Sequence, residues 1–214
     1  MKKIVSILIL LLILTGCGSN NVENKVNNIK KEVSIDDILD NKNNYFVKIN
    51  GVKLTVGDKV SDVLKTGYTM KDKDLAETVP SNRYLLGKSV IGKEEYRAVF
   101  RITPLNLTNS TVTVKDSSIG GFEVGEVDYD KIYSEILGMD IEIYGGLKLG
   151  STYEDMVKVF GTDYTFYDAN PESNSDKLTY TVYKYEKSYK GFEFTFDKNG
   201  KLSNIEWRNY DYNE

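Results

Sequence analysis

Two segments of the chain, 93 positions apart, share one pattern of residue types. Residues 54–65 read LTVGDKVSDVLK and residues 147–158 read LKLGSTYEDMVK, with identical pairs at Leu54/Leu147, Gly57/Gly150, Asp62/Asp155 and Lys65/Lys158. Each segment predicts a short strand, a glycine turn, a polar N-cap and a helix with one apolar face. The match therefore predicts a duplicated unit, with chance similarity as the alternative.

Cap residues indicate where each of the two helices begins and ends. Asp58 and Ser151 are good N-cap residues, and Ser151 has capping-box spacing to Glu154. Gly67 and Gly161 follow the apolar stripe of each helix, where glycine commonly ends a helix. The two segments are thus expected to share the same turn, cap and helix.

Strand patterns follow each predicted helix. Phe192, Phe194 and Phe196 alternate with polar residues, and Asn199-Gly200 is a strong hairpin signal before the next strand. Further strands are predicted at 96–103, 110–115, 119–124, 180–185, 191–196 and 202–208. We therefore expect an α+β fold of two repeats, each a helix packed on an antiparallel β-sheet, in units 45–127 and 128–214.

The first seventeen residues have the pattern of an export signal. Lys2 and Lys3 precede an apolar run from Ile4 to Leu14, which is too short to span a bilayer but suits a signal-peptide core. The run ends in Leu-Thr-Gly-Cys17, which resembles the lipobox of bacterial lipoproteins. The resemblance implies cleavage after residue 16, diacylglycerol on the Cys17 sulfur, and attachment to the outer face of the cell membrane. An ordinary secretory signal with an incidental cysteine is the alternative.

Residues 17–44 are predicted to be a lipidated, asparagine-rich tether. They contain no aromatic residue before the fold begins, and a segment of this composition buries too little apolar surface to offset its ordering entropy. A short amphipathic helix after Ser34 is the alternative for the end of this segment. The Asn-, Lys- and Tyr-rich usage is typical of low-GC Gram-positive bacteria.

The folded part resembles two related small folds. The resemblance rests on the helix segment 150–158 and on the sheet ending in Gly-Phe-x-Phe-x-Phe-Asp-x-Asn-Gly-Lys-Leu at 191–202. These motifs are similar to the tandem-repeat β-lactamase inhibitor protein and to the small lipoprotein of the outer-membrane β-barrel assembly machinery. The resemblance implies a fold and suggests an inhibitor of an envelope or extracellular hydrolase, but a shared fold is weak support for a shared function. A long insertion at 71–93 departs from the repeat pattern.

Composition excludes several kinds of chemistry. The chain has no histidine and one cysteine, which excludes His-based metal sites, Ser-His-Asp and Cys-His catalysis, and an internal disulfide. Its formal net charge of −4 argues against general nucleic-acid binding. We predict no cofactor, no metal and no enzymatic activity. A hydrolase that uses carboxylates is the alternative, with acidic pairs at Asp36/Asp37, Asp72/Asp74, Glu94/Glu95 and Asp128/Asp130.

Tyrosine is the feature of the folded part that most suggests binding. The chain has 16 tyrosines, concentrated in its C-terminal half, and Tyr183, Tyr185 and Trp207 lie on predicted strands. Tyrosine and tryptophan supply contact area at interfaces, although they also fill cores. We therefore expect a lipid-anchored extracytoplasmic module that binds an envelope protein through the concave sheet face, with Tyr183, Tyr185 and Trp207 as anchors.

Overall fold

The computed structural model describes residues 33–91, 98–125, 139–170 and 180–211, except the side chains of residues 91, 98 and 170. These residues belong to one compact unit, 33–214. The unit is mostly β, with a large antiparallel sheet of eight strands, smaller sheets and a few short helices. The predicted antiparallel sheet with packed helices is thus confirmed in outline, with more strand and less helix than an even α+β mixture.

The elements are short and closely spaced. The α-helices are α1 (Ile35–Asp40), α2 (Asp72–Ala76) and α3 (Tyr153–Phe160), and the 3-10 helices are Lys42–Asn44, Val60–Thr66, Val114–Asp116 and Tyr144–Gly146. The strands are β1 (Phe46–Ile49), β2 (Val52–Thr55), β3 (Thr78–Val79), β4 (Arg83–Tyr84), β5 (Lys88–Ile91), β6 (Ala98–Asn106), β7 (Val112–Thr113), β8 (Ser118–Gly125), β9 (Ile141–Ile143), β10 (Phe166–Asn170), β11 (Tyr180–Lys187), β12 (Lys190–Phe196) and β13 (Leu202–Asn209).

The large sheet combines strands from both halves of the chain. Its order is β10-β11-β12-β13-β8-β6-β4, and β5 pairs with β6 as well. Strand β13 of the second half pairs directly with β8 of the first half. A second sheet, β2-β1-β9, also mixes the halves, because Val47 of β1 lies opposite Ile143 of β9. The predicted units 45–127 and 128–214 therefore share their sheets and are not separate domains.

One face of the large sheet forms the core. Phe192 and Phe194 of β12, Ile205 of β13 and Phe122 of β8 alternate with polar residues and are buried. The core also includes α1, α3 and the small sheet, through residues such as Ile38, Met156, Phe160, Ile49 and Leu54. The alternation predicted for β12 is confirmed, and it determines which face of the sheet is buried.

The two matching segments form different types of helix, and their caps also differ. In the second segment Thr152 is the N-cap, and its side chain and the carboxylate of Asp155 form a reciprocal capping box. In the first segment the equivalent cap is Lys59, which has no side-chain acceptor, and Val60–Thr66 is a 3-10 helix. The predicted caps Asp58 and Ser151 are thus wrong by one residue, whereas Gly67 and Gly161 do end the helices.

The turns before the two helices are nevertheless equivalent. The Asp58 carboxylate accepts from the Thr55 N–H, and the Ser151 hydroxyl accepts from the Lys148 N–H. The backbone then pairs with the large sheet in the same way in both segments. The N–H of Gly57 donates to Ile119 O at 2.9 Å, and that of Gly150 donates to Leu202 O at 2.8 Å.

The first strand is preceded by structure that the sequence assigned to the tether. Helix α1 begins after Ser34, whose hydroxyl accepts from the Asp37 N–H, and its residues Ile38 and Leu39 are buried. The Tyr45 hydroxyl donates to Leu39 O at 2.9 Å. Residues 33–44 are therefore part of the folded unit, and the short-helix alternative is confirmed there. Residues 17–32, including Cys17, lie outside the described residues.

Candidate functional site

Tyr185 lies in the core and not on a binding surface. It is fully buried on β11, and its ring centroid is 5.2 Å from that of Phe160 on α3. Its hydroxyl donates to Gly161 O at 2.7 Å, at the residue that ends α3. Burial raises the pKa of the phenol above its ordinary value. This hydrogen bond therefore connects the C-terminal end of α3 to strand β11.

Trp207 also fills the core. It is fully buried on β13, with its ring centroid 6.3 Å from Phe122 and 6.2 Å from Tyr45. Its indole N–H has no hydrogen-bond partner among the described residues. A fully buried side chain offers no surface to a partner. The prediction that Tyr185 and Trp207 are interface anchors is therefore wrong.

Tyr183 lies at the centre of a group of four tyrosines, which we call the tyrosine patch: Tyr153, Tyr164, Tyr167 and Tyr183. Tyr167 is 51% exposed, and the other three are partly buried against the core. The ring centroids of Tyr153, Tyr164 and Tyr167 are 5.0, 5.1 and 5.2 Å from that of Tyr183. Desolvation first, and then the neighbouring tyrosines, raises the pKa of Tyr183 to about 12. The Tyr183 phenol is therefore neutral at physiological pH.

The tyrosine patch is built by three neighbouring parts of the chain. Tyr153 is the first residue of α3, and the capping box at Thr152 fixes where that helix begins. Tyr167 lies on β10 and pairs with Tyr183 on β11, and Tyr164 precedes β10. Tyr164 and Tyr167 belong to the tyrosine-rich C-terminal half of the chain. Tyr153 lies in the apolar stripe of α3 and packs partly against the core.

Strand β10 makes one edge of the large sheet. In the part of the chain that the structure describes, it pairs only with β11, from Phe166↔Lys184 to Asn170↔Tyr180. Its side chains Phe166 and Tyr167 are exposed by 44% and 51%. An exposed edge strand presents backbone N–H and C=O groups that can pair with another strand. The tyrosine patch therefore borders a backbone edge suited to β-pairing.

The other face of the large sheet carries a row of charged residues, which we call the charged row. Direct cross-strand pairing relates its neighbours, in the order Lys184, Glu193, Glu206, Glu123 and Arg101. Cross-strand partners lie on the same side of a sheet. Three glutamates are therefore adjacent at the middle of this face, with a cation at each end of the row.

Ion pairs compensate the glutamates unequally. Lys184 Nζ lies 2.7 Å from Glu193, whereas Arg101 Nη1 lies 3.3 Å from Glu123 and Arg208 Nη1 lies 3.4 Å from Glu206. Burial first, and then the negative charge of Glu193, raises the pKa of Glu206 above its ordinary 4.5. Glu123 raises it further, against the opposite effect of Arg208.

A pocket of about 180 Å³ lies over the end of the charged row. Arg101, Glu123 and Glu206 contribute its charged lining, and Thr103 adds a hydroxyl. The rest of the lining is Tyr84, Leu85, Leu86, Gly87, Phe122, Trp207 and Tyr210. No single motif in the sequence marks this site, because its residues come from four strands and meet only through the register of the sheet.

The acidic pairs named from the sequence do not form a comparable site. Asp36 and Asp37 lie in the first turn of α1, and Asp72 and Asp74 lie in the first turn of α2. The pairs Glu94/Glu95 and Asp128/Asp130 lie outside the described residues. Within the described ranges, no three acidic or cysteine side chains are grouped to hold a metal ion.

Comparison of the chain with family models, with curated proteins and with solved structures found no match. The resemblances to lipoproteins and to the inhibitor fold therefore rest on the motifs quoted above. In the described part of the chain, none of the helices has the length and apolar character needed to cross a bilayer.

Proposed function

We propose that the protein is a lipid-anchored extracytoplasmic module that binds a protein partner of the cell envelope through the tyrosine patch. The observation that carries this proposal is the packing of Tyr153, Tyr164 and Tyr167 around Tyr183 beside an edge strand. Tyrosines supply large apolar contacts with a polar end at a small entropic cost, which suits an interface.

The patch and the edge strand together favour recognition of an extended segment. A partner strand added to β10 would gain backbone hydrogen bonds, and its alternate side chains would meet either Phe166 or Tyr167. These two side chains point to opposite faces of the sheet, because successive residues of a strand alternate. The partner we propose therefore presents a β-strand with apolar residues on one side.

The membrane attachment in this proposal comes from the sequence. The basic start, the apolar run to Leu14 and the Leu-Thr-Gly-Cys17 ending together support lipidation of Cys17 and a place on the outer face of the cell membrane. Two acyl chains on the sulfur would hold the chain stably to the bilayer.

We also propose that the folded unit arose from two copies of one helix-and-sheet unit. The equivalent turns at Gly57 and Gly150 support this, since each donates its N–H to the first residues of the strand that its own half contributes to the centre of the sheet. The equivalent cap residues Lys59 and Thr152 also each form an isolated β-bridge, to Ser118 and to Lys201, just before these hydrogen-bond acceptors in the chain.

Crosslinking in intact cells tests the binding proposal. The double variant Tyr164→Ala/Tyr167→Ala is expected to lose the captured partner. Its thermal unfolding midpoint is measured in parallel, because Tyr164 is partly buried against the core. Tyr189→Ala is the matched control, because Tyr189 is 66% exposed but lies in the turn between β11 and β12. Unchanged capture by the double variant would contradict the proposal. If the captured partner is a hydrolase that the protein inhibits, the inhibitor alternative is supported.

Cell fractionation tests the anchor separately. The Cys17→Ser variant is expected to leave the membrane fraction or to remain an unprocessed precursor, because the thioether cannot form. A Cys17→Ser protein that is still processed and membrane-bound would contradict lipidation, whatever the result for the tyrosine patch.

A second candidate function is carboxylate-dependent hydrolysis in the pocket of the charged row. The observation that favours it is the direct cross-strand pairing of Glu123 with Glu206 inside one pocket. Cross-strand partners lie on one face of the sheet, so the two carboxylates face the same pocket, as the paired carboxylates of glycosidases do. Hydrolysis of an envelope glycan that is lost in both Glu123→Gln and Glu206→Gln would establish this function.

A further inference from the structure

The pocket over the charged row lies on the sheet face opposite the buried aromatic core and apart from the tyrosine patch. Its volume of about 180 Å³ suits the end of a side chain or one small functional group. Its polar groups come from β6, β8 and β13, and its rim comes from β4 and the residues after it. The nature of its ligand follows from its charge balance and its walls.

Among the described residues, the charges that line the pocket do not cancel, because Glu123 and Glu206 supply two carboxylates and Arg101 supplies one cation. The ion pairs on this face join four carboxylates, those of Glu123, Glu186, Glu193 and Glu206, to three cations, those of Lys184, Arg101 and Arg208. Adjacent like charges on neighbouring strands destabilise a sheet. One further positive charge would therefore be stabilised here, and one negative charge would be repelled.

Glu206 is the least compensated of these carboxylates. Its cation, Arg208, lies 3.4 Å away and also pairs with Glu186 through its other terminal nitrogen. Both neighbours of Glu206 along the charged row are glutamates. Arg101 shares the pocket, but it lies beside Glu123 and its side chain is 54% exposed, so it can move outward when another cation enters.

Aromatic rings stand beside these carboxylates. The rings of Tyr84 and Tyr210 stack with centroids 4.4 Å apart, and both residues line the pocket. Thr103 lines the same pocket as Tyr210. Ring faces attract ammonium and guanidinium groups. The rings of Tyr84 and Tyr210 and the side chain of Leu86, which is 84% exposed, also offer apolar surface for the alkyl part of such a group.

We propose that this pocket binds one monocationic group, an alkylammonium or a guanidinium, with Glu206 as its paired carboxylate and Tyr84 and Tyr210 as its aromatic wall. The group is carried either by a free amine or by the basic side chain of a peptide, and the two sources share the same recognition. This inference does not depend on the tyrosine patch or on the lipid anchor.

Calorimetric titration of the full chain in detergent tests the proposal. Nα-acetyl-arginine methylamide and Nα-acetyl-lysine methylamide are the peptide probes, n-butylamine is the free-amine probe, and Nα-acetyl-citrulline methylamide is the neutral match for arginine. The cationic probes are expected to bind and the citrulline probe to bind at least tenfold more weakly. Equal binding of citrulline, or no binding of any cation at millimolar concentration, would overturn the proposal.

Two glutamine variants assign the contact. Glu206→Gln keeps the size of the side chain and removes its charge, and it is expected to weaken cation binding by about 10- to 100-fold, the effect of losing one charged hydrogen-bond partner. Glu154→Gln is the matched control, since Glu154 lies exposed in the first turn of α3. Equal effects of the two variants would overturn the assignment.

Acid should weaken binding through the same group. The ionisable groups facing Glu206 are Glu193 on β12, Glu123 on β8, Arg101 on β6, Arg208 on its own strand and the phenols of Tyr84 and Tyr210. Affinity is expected to fall as the pH drops through the raised pKa of Glu206, and this fall is expected to vanish in Glu206→Gln. Charge-independent binding or cleavage of a neutral glycan at this pocket would instead support the hydrolase.

Discussion

The guanidinium of Arg208 reaches over strand β12 to the carboxylate of Glu186 on β11. Both residues pair with Gly191, which lies between them on β12. A Cβ at that position would lie 2.6 Å from Tyr185 O and 2.7 Å from Glu186 Cβ. The absence of a side chain at Gly191 therefore allows the ion pair to bridge three strands.

Gly191→Ala is expected to lower the free energy of unfolding by about 1–3 kcal/mol, the usual cost of overpacking. The new methyl group would meet the backbone of β11, which cannot move without disturbing the pairing. Urea unfolding measures the change. Gly87→Ala is the milder comparison, because its Cβ would lie 3.3 Å from Arg101 Cβ, a contact that a shift of a few tenths of an ångström relieves. An alanine at 191 that left stability unchanged would contradict this account.

Tyr185→Phe is expected to lower the free energy of unfolding by about 1 kcal/mol, the net contribution of one hydrogen bond. The variant keeps the buried ring and removes only the bond to Gly161 O. Tyr167→Phe serves for comparison, because its ring is half exposed, and its effect should lie within about 0.5 kcal/mol. Chemical denaturation measures the free energy of unfolding of both variants. Equal changes in the two would show that the hydrogen bond from Tyr185 to Gly161 O does not stabilise the fold.

Trp207→Ala is expected to lower the free energy of unfolding by about 3–5 kcal/mol, as for other buried aromatic residues replaced by alanine. The side chain packs against both Phe122 and Tyr45, so its loss would leave a cavity between the sheet and the elements that cover it. Tyr189→Ala, which removes an exposed aromatic side chain, is the control, and urea unfolding measures the free energy of unfolding of both variants. A Trp207→Ala protein of normal stability would return Trp207 to the candidate interface residues.

Ile38→Ala tests whether residues 33–44 belong to the fold. The side chain is buried, so its truncation is expected to lower the free energy of unfolding by about 2–5 kcal/mol. Val33→Ala, two residues before α1 and 61% exposed, is expected to change it by no more than about 0.5 kcal/mol. If both substitutions were neutral in calorimetry, these residues would be tether, as their composition first indicates.

The capping box of α3 gives a stability that depends on pH. Hydrogen bonds from Thr152, and then from Lys158, lower the pKa of Asp155 below its ordinary 3.8. A carboxylate with a lowered folded-state pKa stabilises the fold above its unfolded pKa, and this effect is lost as the pH falls through the folded value. The stability difference between wild type and Asp155→Asn is therefore expected at pH 7 and should narrow below about pH 4.

Thr152→Ala supplies the neutral counterpart, because it removes the cap hydroxyl without changing a charge. It is expected to cost about 1 kcal/mol. Thr162→Ala, at an exposed threonine just after α3, is the control. A pH-independent difference between wild type and Asp155→Asn would mean that Asp155 does not act as a charged cap partner.

Local patterns in the sequence predicted the central strands of the large sheet, β6, β8, β11, β12 and β13. The alternation of Phe192, Phe194 and Phe196 identified β12 and its buried face, and Asn199-Gly200 identified the hairpin to β13, where Gly200 has a φ of 70°. These features depend on residues close together in the chain. Ile205 and Trp207 are two residues apart and therefore share one face of β13, which is the sign in the sequence that Trp207 is buried.

Long-range pairing could not be predicted from the same patterns. Glu123, Glu193 and Glu206 each occupy the polar position of an alternating strand, but only the register between strands makes them neighbours. The pocket depends on that register and on β4, a strand of two residues inside the insertion 71–93. Likewise, Lys59 at the cap position signals a weak helix start, yet whether the chain there forms an α- or a 3-10 helix depends on its packing.

The central position of β1 in the small sheet affects the order in which the chain can fold. Strand β1 completes its pairing only when β9, almost a hundred residues later, has been synthesised, whereas β2 is available within a few residues. During most of its synthesis, the chain therefore has a strand edge at Val47 and Ile49 whose backbone groups still lack their partners on β9. Because closing so long a loop is slow, a factor that shields this edge during synthesis or export would raise the yield of native protein.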